Sequence, residues 1–133
     1  MIRIHNLTAA LAQEDFLKKV TKTVLKREKK KKTELSIILV GPGKIKELSK
    51  KYRRKNRATD VLSFFYDSSG EIVICPREVK KNAKIFKSTY KKELARVLVH
   101  GILHLLGYDH EKNESGAKEM HKKEENYLEK IFK

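Results

Sequence analysis

Apolar residues in this 133-residue chain gather in short periodic runs divided by dense charge. Ile2-Arg3-Ile4 alternates as a strand does, and residues 12–28 then set Phe16, Leu17, Val20, Val24 and Leu25 at helical spacing. The run Arg27-Glu28-Lys29-Lys30-Lys31-Lys32 cannot be buried and reads as a solvated connection, with a nucleic-acid contact as the alternative. Residues 34–40, ELSIILV, are rich in β-branched residues and predict a strand. Gly41-Pro42-Gly43 stops it, and a short helix over 44–52 comes next. Residues 61–65 and 71–75 are two apolar runs joined by Tyr66-Asp67-Ser68-Ser69-Gly70, which predicts an antiparallel hairpin. Pro76 opens a helix to about residue 86, since proline is tolerated in a first turn. Ser88 or Thr89 can cap the next helix, over 90–106, which ends at Gly107. The last, over 115–132, is charged and amphipathic, with Met120, Tyr127, Leu128 and Ile131 as its apolar anchors. No repeat or linker interrupts the order, and the length suits a single domain over residues 1–133.

Charge narrows the class. Lys and Arg outnumber Asp and Glu by 32 to 17, a formal net charge of +15 that calls for a polyanionic partner or tolerates one. The basic residues are spread along the chain instead of facing one apolar helical stripe, which favours nucleic acid over a membrane surface. No apolar h-region opens the sequence, and no window approaches the roughly 18 apolar residues of a membrane span, so a cytoplasmic location is expected. Cys75 is the single cysteine, which excludes an internal disulfide and a cysteine-based zinc site; it reads as a small core residue.

Candidate chemistry lies in His100-Gly101-Ile102-Leu103-His104-Leu105-Leu106-Gly107-Tyr108-Asp109-His110, which holds three of the five histidines. His100 and His104 are one helical turn apart, so both imidazoles leave the same face and can share one ion. The stop at Gly107 lets the chain turn back and bring His110 toward that ion, and three neutral imidazoles leave one tetrahedral position open for water. Zinc is the first choice, although imidazole also suits nickel, copper and iron. In the zinc-peptidase pattern His-Glu-x-x-His a glutamate follows the first histidine as general base; here that position is Gly101, which can instead let the helix lie close to a strand. Asp109 is a candidate hydrogen-bond partner for an imidazole, or a turn-forming carboxylate. His121 reads as a surface residue, His5 has no assigned role, and at least two of Tyr52, Tyr66 and Tyr108 read as packing residues instead of base-stacking ones.

The segment HGILHLLGYDH resembles the signature of the YbeY family of bacterial rRNA maturation factors. The resemblance extends upstream through LSKKYR at 48–53, ATDVLSF at 58–64 and GEIVIC at 70–75, and in weaker form over nearly the whole chain. It implies an α+β fold, a small mixed sheet packed with helices, the metal-binding helix central as in zincins. It also implies a single-strand-specific, zinc-dependent endoribonuclease acting in rRNA maturation, at the 3′ end of the small-subunit rRNA, and in ribosome quality control. On this resemblance His100, His104 and His110 are the ligands of one Zn2+ per chain, Arg53 and His104 act in catalysis, and RNA in ribosomal particles is the partner. Ser49, Ala58 and Phe65 stand where the family usually has Asn, Pro and Pro. A guanidinium at Arg53 would hold a scissile phosphate bidentately, whereas Arg54 and Lys55 beside it read as solvated cations. The rival from another class is a non-catalytic ribosome-assembly factor with a structural metal, and a zinc peptidase comes third, weakened by Gly101 and by the net charge.

Overall fold

The computed structural model describes residues 1–11, 13–53, 59–108 and 114–133. Four strands and five helices succeed one another as β1 (Ile2–Asn6), α1 (Glu14–Arg27), β2 (Glu34–Leu39), α2 (Pro42–Arg53), β3 (Val61–Tyr66), β4 (Ser69–Ile74), α3 (Pro76–Ile85), α4 (Tyr90–Leu105) and α5 (Glu114–Ile131). The strands form one mixed sheet in the order β1-β2-β4-β3. Parallel pairing joins β1 to β2 (Ile4 opposite Ile37) and β2 to β4 (Ile37 opposite Ile72), and β3 runs antiparallel to β4 as an edge strand.

Period-two alternation divides the sheet between two cores. Leu35, Ile37 and Leu39 of β2 and Ile72 and Ile74 of β4 face one side, where they are buried against α1, α3, α4 and α5. Val73, Cys75 and Leu62 face the other, under Ile45 of α2. Cys75 is fully buried, as a small core residue should be. α4 occupies the centre, packing on α1, α3, α5, β3 and β4. Leu94, Leu98, Val99 and Leu103 are all fully buried, each such side chain contributing about 1.5–3 kcal/mol relative to exposure.

Two local readings need correction. The helix expected from residue 44 begins at Pro42, because proline fits the first helical position with its fixed φ and missing N–H; Ile45 N–H then reaches back to the Gly41 carbonyl. The hairpin turn is tighter than the five-residue linker implied. Strand pairing continues to Tyr66 opposite Ser69, leaving Asp67 and Ser68 as the loop, with Asp67 in a left-handed conformation at φ 49°. Of the two candidate caps of α4, Thr89 serves, its hydroxyl accepting from the Lys92 N–H at 3.1 Å.

The end of α4 sets the direction in which the chain leaves the helix. Gly107 takes φ +104° and donates to the His104 carbonyl, while the Tyr108 N–H donates to Leu103, the paired bonds of a Schellman cap. Only a residue without a side chain takes that conformation without strain.

Candidate metal centre

His100 and His104 lie on the face of α4 beside the open edge of β3, in a cleft of about 590 Å³. Their rings are parallel within 5°, with centroids 6.5 Å apart, as the one-turn spacing requires. α5 supplies a carboxylate to the first of them: His100 Nδ1 is hydrogen-bonded to Glu124, whose side chain is 10% exposed. A carboxylate can only accept, so Nδ1 carries a proton and Nε2 is the nitrogen that would ligate a metal.

Further acids line the same cleft. Asp60 stands at the start of β3; burial pushes its carboxyl above the usual range, against backbone hydrogen bonds and the attraction of His100. Asn82 of α3 donates to it at 3.3 Å. Glu93, one turn below Arg96 on α4, is also raised by burial, opposed by Arg96 and reinforced by the charge of Asp60. Arg96 spans the two helices, with Nε 3.5 Å from Glu93 and Nη1 2.7 Å from Glu125. Three carboxylates thus converge on two imidazoles in a protein of net charge +15. Arg96 also lines the cleft but is held by Glu93 and Glu125, so three acids against one paired cation among the described lining residues favour a cation over a bare phosphate.

Gly101 has the packing role. A Cβ there would meet Ile72 Cγ2 and Ser63 Oγ at 3.2 Å, and Ser63 Oγ donates to the Gly101 carbonyl at 3.2 Å. Position 101 therefore faces the sheet, and a glutamate on it would point away from the imidazoles.

The donor chemistry of His100 and His104 fits a divalent transition metal, but among the described residues no three His, Cys, Asp or Glu side chains close a metal site. The third expected ligand, His110, lies outside the described residues, with Asp109, Ala58, Arg54 and Lys55. Arg53 is the last residue of α2, and the role expected of its side chain lies outside the described part of the molecule. Tyr52, in the preceding position, lines the cleft with its ring 5.1 Å from that of Phe64, edge to face.

Several of these groups are invisible to motif reading. Glu124 sits in a run of charges on α5, yet it falls one turn from Met120 and three residues before Tyr127, on the stripe of apolar anchors; that periodicity is the signal. Glu28, expected in a solvated run, turns inward instead, accepting from Tyr108 Oη at 2.8 Å, from Lys123 Nζ at 3.1 Å and from Tyr127 Oη. Tyr108 packs against the core and Tyr52 packs edge to face on Phe64 while remaining more than half exposed, and Tyr66 is exposed. His121 is exposed, as expected, and so is His5.

Comparison with known proteins places this arrangement. The profile of the family described as Endoribonuclease YbeY matches residues 3–132. The endoribonuclease YbeY of Thermotoga petrophila is 46% identical over 101 residues, 74% of this chain and 67% of that protein. That of Thermosipho melanesiensis is 38% identical over 124 residues, 91% and 89% of the two chains. The solution structure of TM1509 from Thermotoga maritima superposes with a TM-score of 0.75 at 40% identity, covering 99% of this chain and 89% of that one. A mixed sheet carrying five helices, a paired His100 and His104 on the central one, and a profile match along almost its whole length make this chain a member of the endoribonuclease YbeY family.

Proposed function

We propose that this protein is a single-strand-specific, zinc-dependent endoribonuclease of the cytoplasm, acting in rRNA maturation at the 3′ end of the small-subunit rRNA and in ribosome quality control. Membership of the family makes it an endoribonuclease, a hydrolase of RNA phosphodiester bonds. The observation that carries the finer reading is the Glu124–His100 contact beside His104: a buried carboxylate fixing the tautomer of a cleft imidazole is an investment that metal ligation explains.

In this reading His100, His104 and His110 hold one zinc ion, in a zincin-like placement on and just after the central helix. When bound, the ion supplies Lewis acidity toward a phosphodiester oxygen and lowers the pKa of a coordinated water toward about 7. The chain's own groups do the rest. Glu124 keeps the His100 ring oriented, holding Nδ1 and leaving Nε2 as the nitrogen that would meet an ion. Asp60, Glu93 and Glu124 keep the cleft negative, so a phosphate enters only when their charge is offset by a bound cation. Asp60, raised by burial, is placed to accept or return a proton in the cleft. Arg53 holds the scissile phosphate and stabilises its developing charge.

Single-turnover cleavage of a single-stranded RNA and of its duplex, with zinc-loaded protein in excess, tests this. Cleavage of the single strand alone is expected, with Arg53→Ala slowing it by about 10²-fold at normal metal content and Arg54→Ala leaving it nearly unchanged. Failure to cleave either RNA would favour the assembly factor.

A further inference from the structure

A second cleft opens where α4 ends, between the lysine run after α1 and the β3–β4 hairpin. One side carries the ammonium groups of Lys26 and of the lysines at 29–32, all exposed. The other carries Phe65, 58% exposed, and Leu105. Asp67 is the one carboxylate among the described residues lining it, and none of the five lysines is within ion-pair distance of a carboxylate among the described residues. An exposed aromatic ring across a narrow cleft from five unneutralised cations is the surface a single nucleic-acid strand requires: π-face for a base, positive charge for the phosphates.

Strand geometry ties this cleft to the histidines. Ser63, bonded to Gly101 beside His100, and Phe65 lie on the same face of β3, two residues or about 7 Å apart, which is about one nucleotide of an extended strand. Leu105 succeeds His104 directly on α4. A strand passing His104 along the β3 edge is thereby delivered to Phe65 and the lysines.

We propose that this groove binds the segment of single-stranded RNA flanking the scissile bond, one base stacking on Phe65 and the backbone running along the lysines at 29–32. The proposal rests on the ribonuclease reading for what lies in the neighbouring cleft, but binding and cleavage separate the two. Fluorescence anisotropy with the full chain in chelator measures affinity for a long labelled oligouridylate that spans both clefts, and zinc-loaded protein is assayed for its cleavage. Phe65→Ala is expected to weaken the long RNA by about 5-fold or more, and Phe65→Trp, which keeps a π-face, to bind it at about the parental level. The triple variant Lys30→Gln/Lys31→Gln/Lys32→Gln is expected to reduce the slope of log K against log salt by about 2 for the long RNA. Both positions are exposed, so neither change disturbs the core. Parental affinity of Phe65→Ala for the long RNA, equal weakening by Phe65→Ala and Phe65→Trp, an unaltered salt slope, or displacement from the groove by oligoglutamate and not by RNA would each overturn the groove. Absence of cleavage by the parent with the binding contrasts intact would overturn the ribonuclease reading and leave the groove standing.

Discussion

Glu124 illustrates how much of a site one side chain can carry without touching substrate. Its carboxylate accepts the His100 Nδ1 proton from a position 10% exposed, so Glu124→Gln, which keeps the shape and removes the charge, is expected to weaken zinc binding by about 10- to 100-fold. Competition against a chromophoric chelator measures this, and an unchanged affinity would remove Glu124 from the proposed centre. Gly101 makes the complementary point. Gly101→Glu would force a side chain against Ile72 and Ser63 and bury a charge there, so a loss of about 3 kcal/mol or more is expected in chemical denaturation, with no gain of peptidase activity. The histidine spacing was legible because the helix period sets it. The role of Gly101 was legible only as one of two alternatives, since packing partners on β3 and β4 are distant in sequence.

At the scale of elements, Glu28 joins three segments that sequence reading keeps apart: the end of α1, the residue after the Gly107 cap, and α5. Burial raises its pKa, but hydrogen bonds from Tyr127, Tyr108 and Lys123 outweigh burial and hold it below the ordinary 4.5. A depressed carboxyl binds fewer protons folded than unfolded, so its contribution is full above about pH 4.5 and is lost as pH falls through the lower folded value. The stability difference between the parent and Glu28→Gln is therefore expected to shrink as urea unfolding is repeated from pH 6 down toward pH 3; Asp60 and Glu93, raised in the folded state, cancel in that difference. A difference independent of pH would contradict the network. Tyr108→Phe, which releases the chain just before the proposed ligand His110, is expected to weaken zinc binding, whereas Tyr127→Phe, which loosens α5 from the same carboxylate, is expected to lower stability with little effect on zinc. Every element lay within a few residues of its expected place because apolar periodicity is local. The start at Pro42, the tight hairpin turn and the inward Glu28 were not legible, because backbone capping and long-range hydrogen bonds decide them.

For the whole molecule, a charge of +15 and a negative cleft have separate consequences. Distributed cations release counterions from the phosphate backbone, so RNA affinity is expected to fall steeply with salt and to change little when zinc is removed, whereas cleavage is expected to be lost with the ion. The charge excess was legible from composition; that three acids gather around the histidines was not, since Asp60, Glu93 and Glu124 come from β3, α4 and α5 and meet only in the fold. In the proposed reading both the chemistry and the electrostatics of the cleft depend on a metal. Titrating zinc into chelator-stripped protein, while monitoring single-stranded RNA cleavage and bound metal by elemental analysis, tests it most directly. Cleavage rising from background and reaching its plateau at about one zinc per chain, with His100→Ala and His104→Ala binding none and cleaving nothing, is the result expected. Undiminished cleavage by the stripped protein, or full zinc occupancy in the variant lacking both histidines, would contradict it.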